Sequence, residues 1–187
     1  MAAVALAALT ARVEGTSMQP TLLDGDLLFV DRLGPHLRAP ARGDIVVVGL
    51  NANGLAGVKR VIAVPGDTVA IDGTHVDSPG GRPHPVVLLR PRGVGPWERL
   101  GESYIAGDWG RPEFCCDPDG LTVGSKPRPL TLPPGEFFVL GDNRGVSIDS
   151  RKFGLVPSNR ILGVVVARYW PLDRAGEPSS SLTMTPS

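Results

Sequence analysis

Residues 58–67 read Val58-Lys59-Arg60-Val61-Ile62-Ala63-Val64-Pro65-Gly66-Asp67. This stretch decides the fold class. Seven residues are strand-like and mostly β-branched or small, and the run ends at a Pro-Gly-Asp turn signal. Two cations stand side by side inside it. Successive side chains of a strand point to opposite faces. The expectation is therefore that one of Lys59 and Arg60 faces inward or toward a cleft and the other faces out. A lysine held in an apolar strand loses hydration, its pKa falls, and its neutral amine becomes a competent base. The bland alternative puts Lys59 on the solvent face, and alternation alone leaves both open.

The neighbouring segments repeat the pattern. Leu27-Leu28-Phe29-Val30 follows Asp24-Gly25-Asp26, and Ile45-Val46-Val47-Val48 follows Arg42-Gly43-Asp44. Val69-Ala70-Ile71 runs into Asp72-Gly73, a hairpin signal. Phe137-Phe138-Val139-Leu140 and Ile161 to Tyr169 supply the last strands. Between Ser78 and Pro134, Pro, Gly and Arg dominate and only Val86 to Leu89 is a good strand candidate. The division expected is a short apolar segment 1–11, a β-rich core over 12–77 and 135–172, a Gly/Pro-rich insertion 78–134 and a disordered Ser/Pro-rich tail 173–187.

Composition agrees. The 187 residues carry 24 Gly and 19 Pro with 5% aromatics, which suits short strands joined by turns rather than a helical bundle. Nineteen basic residues balance nineteen acidic ones, so the basic excess of a nucleic-acid partner is absent. The lysines are Lys59, Lys126 and Lys152, and a chemistry that needs lysine has these three to choose from. Cys115 and Cys116 are adjacent, which matches neither a zinc pair nor a C-x-x-C redox motif. No phosphate loop, H-E-x-x-H or G-x-S-x-G elbow occurs, and neither a metal nor a cofactor is expected. His36, His75 and His84 read as solvated loop residues, so a Ser-His-Asp triad has little support. Ala2 to Leu9 is apolar but shorter than the roughly 20 residues of a spanning helix. It is read as an anchor remnant or a toe resting on a membrane, ahead of a first buried strand or helix.

Two more segments hold polar residues in suggestive places. In Gly15-Thr16-Ser17-Met18-Gln19-Pro20-Thr21-Leu22, Pro20 disfavours helix and lets Ser17 project from an irregular turn. Gly141-Asp142-Asn143-Arg144-Gly145-Val146-Ser147-Ile148-Asp149-Ser150-Arg151 is either a solvated loop or a polar knot at the end of a sheet.

Taken in order, "GTSMQPTL", "GDIVVV", "VKRVIAVPGDTV" and "VLGDNRGVSIDSRKFGLVP" resemble the boxes of type I signal peptidases. These are Ser-Lys endopeptidases that release signal peptides from exported preproteins. The likeness covers roughly residues 9–77 and 135–170; the last box resembles the bacterial form, and "RVEGTSMQP" is similar to the mitochondrial inner-membrane branch. It implies a mainly β fold, a catalytic core of coiled antiparallel sheets with a small irregular or β insertion. It implies Ser17 as nucleophile, Lys59 as general base and Ser147 as the serine that orients the lysine. Asp142, Arg144, Asp149 and Arg151 match bracing residues. Met18 shapes the nucleophile turn, and Val13 and Val58 fall where shallow pockets take small side chains. The Ser17 N–H is the expected first oxyanion donor, and Gly15 stands where some members place a serine as the second. The partners implied are preprotein signal peptides and the membrane surface, on the extracytoplasmic face of a bacterial-type cell membrane. A dedicated maturation peptidase and a non-catalytic peptide-binding β-domain are the alternatives.

Overall fold

The computed structural model describes residues 8–50, 56–76, 84–105, 109, 128–178 and 182–187. The chain is mainly β, arranged as two antiparallel sheets. The larger holds seven strands: β1 (Ala8–Arg12), β2 (Leu27–Asp31), β3 (Ile45–Gly49), β4 (Ala56–Ala63), β9 (Glu136–Leu140), β10 (Val156–Pro157) and β11 (Ile161–Trp170). Their spatial order is β1-β2-β11-β3-β4-β9-β10. The smaller holds β5 (Thr68–His75), β6 (His84–Arg90), β7 (Glu98–Glu102), β8 (Leu130–Thr131) and β12 (Leu182–Pro186), in the order β12-β7-β6-β5-β8. Among the described residues there are also two four-residue α-helices, α1 (Gly34–Leu37) and α2 (Ser150–Phe153), and three short 3₁₀ turns.

The strand β9 and the second half of β4, Val61–Ala63, read as apolar runs because both of their faces are covered. On β9, Phe137 and Val139 join one cluster with Val46, Val61 and Ile161, while Phe138 and Leu140 join another with Ile62, Val69, Ile71 and Leu89. The second cluster draws on both sheets and fastens them together. A third, of Val13, Met18, Leu22, Leu28, Val30, Ile45 and Val165, lies under the turn that carries Ser17.

Several expectations are corrected. Asp72-Gly73 does not turn the chain: β5 runs on to His75 through an irregularity in register, where Asp72 Oδ1 accepts the Thr74 N–H at 2.8 Å. His75 and His84 are strand residues facing each other edge to face at 5.4 Å, and His75 contacts Arg99. The tail is ordered in part. Leu182–Pro186 pairs with β7 residue by residue, from Leu182 opposite Glu102 to Pro186 opposite Glu98. Its Leu-Thr-Met-Thr alternation is a strand pattern that the Ser/Pro-rich surroundings obscure. Ala8–Arg12 of the apolar start is an edge strand paired with β2. Residues 1–7 and both cysteines lie outside the described residues.

Candidate active site

Ser17 sits in the turn between β1 and β2. The buried side chains of Met18 and Leu22 anchor that turn in the core, and Asp24 Oδ1 accepts the Gly15 N–H at 2.8 Å. Lys59 projects from β4. Its Nζ lies 3.2 Å from Ser17 Oγ and 2.9 Å from the Val58 carbonyl oxygen. Lys59 is only 4% exposed. Burial pushes its pKa below the ordinary lysine value of 10.5; Arg151 acts the same way, while Asp149 and Asp142 oppose. Ser17 and Lys59 thus meet at hydrogen-bond distance although 42 residues separate them.

The expectation that one of Lys59 and Arg60 faces solvent is wrong. Arg60 is completely buried on the opposite face of β4. Its Nε and Nη2 donate to the two oxygens of Asp142 at 2.9 and 2.6 Å, its Nη1 donates to the Gly43 carbonyl at 3.0 Å, and its guanidinium lies 4.0 Å from the centre of the Tyr104 ring. Thr21 Oγ1 adds a third donor to Asp142 at 2.5 Å, tying the nucleophile turn to the same carboxylate. Apolar sequence around a cation signals that it is buried, and two cations in register signal two polar surroundings, one on each face.

The 141–151 stretch is a polar knot. Asp149 caps α2, accepts the Gly141 N–H at 3.0 Å and takes two donors of Arg151 at 2.8 Å each. Arg151 Nη2 also donates to the Arg144 carbonyl at 2.9 Å. Ser150 Oγ accepts the Val139 N–H. The knot is clamped to the nucleophile turn by Asn143, whose backbone N–H donates to the Ser17 carbonyl at 3.0 Å and whose Nδ2 donates to the Thr16 carbonyl at 3.1 Å. Gly141 is required by close approach: a Cβ there would stand 2.2 Å from Ser147 Oγ and 2.5 Å from the Ser17 carbonyl oxygen.

Ser147 departs from its expected role. It is buried, but its Oγ has no hydrogen-bond partner among the described residues. The hydroxyl lies over Gly141, and the lysine amine finds its second partner in the Val58 carbonyl, one residue back on its own strand. Val13 and Met18 are buried beside Ser17 in one apolar cluster, against which Val58 and Val47 pack half-buried. No acceptor among the described residues takes the Ser17 N–H.

Sequence reasoning misses Thr21, Arg60, Asn143, Glu102, Tyr104 and Trp109. Arg144 forms a two-pronged ion pair with Glu102 of β7, Nη1 to Oε2 at 2.9 Å with Nη2 on Oε1, and Tyr104 Oη donates to the same carboxylate at 2.5 Å. Burial, reinforced by Glu102, pushes the Tyr104 phenol far above its usual range, so it stays protonated and donates. The Trp109 ring lies under the guanidinium groups of Arg144 and Arg151, at 4.6 and 5.5 Å.

A half-buried serine at hydrogen-bond distance from a buried lysine amine, beside apolar walls, is an arrangement suited to hydrolases that use a serine hydroxyl as nucleophile. Comparison with known proteins narrows this. The model of the signal peptidase family, peptidase S26, matches residues 1–170. Signal peptidase I of Bacillus caldolyticus is 40% identical over 166 residues, covering 85% of this chain and 78% of that protein. Signal peptidase IB of Staphylococcus aureus is 34% identical over 166 residues, covering 85% and 76%. A crystal structure of a signal peptidase I from Enterococcus faecalis is 30% identical and covers 68% of this chain and 97% of that one, with a TM-score of 0.45. The chain belongs to the signal peptidase family and is a serine endopeptidase.

Proposed function

We propose that this protein cleaves signal peptides from exported preproteins after small residues in an Ala-x-Ala pattern, with Ser17 as nucleophile and Lys59 as general base. The observation that carries the reading is the 3.2 Å approach of Lys59 Nζ to Ser17 Oγ in a site where the lysine is buried.

Neutral Lys59 takes the Ser17 proton as Oγ attacks the scissile carbonyl carbon. The oxygen of that carbonyl gains charge and meets the unoccupied Ser17 N–H. Lysine then returns the proton to the leaving amine, and the C–N bond breaks. Water, deprotonated by the Lys59 amine, attacks the acyl carbon, the C–O bond to Ser17 breaks, and Lys59 returns the proton to Ser17 Oγ. A Ser-Lys pair needs no aspartate to fix a tautomer. The apolar walls supplied by Val13, Met18 and Val58 favour small side chains next to the scissile bond. Among the described residues the outer edge of β1 pairs with no strand, so an extended peptide has an edge to pair with.

No helix among the described residues is long and apolar enough to cross a membrane. Leu9, Phe29, Leu162, Val166, Trp170 and Leu172 are exposed on β1, β2, β11 and the turn that follows. They support a resting place on the extracytoplasmic membrane surface, where such preproteins emerge.

The test is cleavage of a preprotein with an Ala-x-Ala site in detergent by wild type, Ser17→Ala and Lys59→Ala. The expected result is one cut after the second alanine by wild type and none by either variant. A folded wild type that binds several such preproteins without cutting them would establish the peptide-binding alternative instead.

A further inference from the structure

The resemblance that picks out the catalytic stretch does not extend to β7 of the five-stranded sheet, yet that strand reaches the catalytic loop. We propose that Glu102, at the end of β7, is a positioning residue for hydrolysis at Ser17; this rests on the Ser17–Lys59 reading above.

The path is short, running through an ion pair, a buried hydrogen bond and a close approach. Arg144 has three nitrogens to satisfy. Two face Glu102, whose carboxylate they grip from both ends, and the third, Nε, donates to the Gly141 carbonyl at 3.1 Å. The side chains of the ion pair are 1% and 7% exposed. Gly141 is the residue whose α-carbon stands against the Ser17 carbonyl oxygen, and two residues on Asn143 hydrogen-bonds that same oxygen. Glu102 touches neither Ser17 nor Lys59. It holds Arg144, Arg144 holds Gly141, and Gly141 with Asn143 sets the height of the nucleophile turn. An arginine fork on a carboxylate fixes direction as well as distance, which a single hydrogen bond does not.

Glu102 is itself held in place. Tyr104 Oη donates to Oε1, and the Tyr104 ring supports Arg60, the residue that secures Asp142. On the outer side of β7, Leu182 of β12 lies opposite Glu102 in the ladder. Gly101 is bare of a side chain where Thr183 crosses it; a Cβ would stand 2.2 Å from Thr183 Oγ1. The second sheet therefore presents a fixed carboxylate to the catalytic loop.

The experiment uses the full chain and a peptide spanning an Ala-x-Ala cleavage site. It measures kcat, KM and Tm for wild type, Glu102→Gln, Glu102→Asp, Arg144→Gln, the double variant Glu102→Gln/Arg144→Gln, and Leu100→Ala. Leu100 is a core residue of the same strand and serves as the control for stability alone. Misplacing a nucleophile by a fraction of an ångström is expected to lower kcat by about 10- to 100-fold for Glu102→Gln, with KM within about twofold. Glu102→Asp recovers part of the loss, and the double variant is no slower than Arg144→Gln alone, because both act through one contact. Leu100→Ala lowers Tm and leaves kcat within about twofold well below the transition. Wild-type kcat in Glu102→Gln, or an equal loss of kcat in Leu100→Ala at equal loss of Tm, overturns the proposal. Ser17→Ala and Lys59→Ala are run beside these. If they are dead while Glu102→Gln is fully active, the positioning role alone falls; if they still cut, the Ser17–Lys59 reading falls and takes this one with it.

Discussion

The two faces of β4 treat a buried cation in opposite ways. On one face Arg60 has a carboxylate gripped by two donors, a backbone carbonyl and an aromatic ring. On the other, Lys59 has a serine hydroxyl and the carbonyl of its own neighbour, and no ion pair among the described residues. Arginine keeps its proton under all ordinary conditions, so its burial is tolerable only with full pairing. Lysine has a second option, which is to give up the proton. Arg144 and Arg151 follow Arg60: each is paired, to Glu102 and Asp149. Under the proposed mechanism, withholding a carboxylate from one buried cation among these four is what lets that one serve as the base. The contrast also separates the roles proposed: the paired cations Arg144 and Arg151 hold the loop, and Lys59 is assigned the chemistry.

The strongest challenge to this contrast is to make Lys59 resemble Arg60. Lys59→Arg keeps the charge but cannot release it, and kcat/KM is expected to fall on the order of 10⁴-fold or more. Activity within tenfold of wild type would break the comparison. The opposite challenge removes pairing from the other face. Asp142→Asn leaves Arg60 buried with a neutral amide, and a loss of about 3–5 kcal/mol in urea unfolding is expected. A loss below about 1 kcal/mol, a surface-pair value, would show that the pairing matters little.

The smallest effect sharpens the comparison most. Lys59→Met keeps the stem and removes the amine, so the inactive variant is expected to be more stable than wild type by about 1 kcal/mol, or roughly 2–4 °C in Tm. The gain depends on pH. Burial lowers the Lys59 pKa in the folded chain, so the unfolded chain retains a proton that the folded one has released. Wild-type stability therefore rises with pH from the folded pKa of Lys59 up to its ordinary 10.5, and the advantage of Lys59→Met shrinks over that window. A constant difference from neutral to alkaline pH would remove desolvation as the cause.

How much of this was legible depends on whether a residue's partner lies nearby in sequence. The strands of the seven-stranded sheet announce themselves, since β-branched runs such as Ile45–Val48 and Val58–Val64 end at glycine turns. Ser17, Lys59 and the 141–151 stretch stand out because their polar groups interrupt apolar flanks. Which way Lys59 and Arg60 point was not legible, because a strand covered on both faces has no solvent side for alternation to reveal. Ser147 is a case where the resemblance implies a contact that the side chain does not make. Glu102, Tyr104 and Trp109 were invisible for a different reason. Each is an ordinary residue in a Gly/Pro-rich region and gains meaning only from Arg144, some 35 to 42 residues further along the chain. The order in the tail was hidden likewise, since Leu182–Pro186 becomes a strand only beside β7.

The central claim is that Lys59 loses its proton where ordinary lysines keep theirs. With three lysines in the chain, labelling the lysine ε-carbon with carbon-13 gives three signals, assignable by the absence of one in Lys59→Met. The account predicts that the Lys59 signal titrates clearly below the ordinary lysine value of 10.5, with kcat/KM rising across the same pH range. A Lys59 signal titrating at that ordinary value, with kcat/KM already flat from neutral pH, would contradict it.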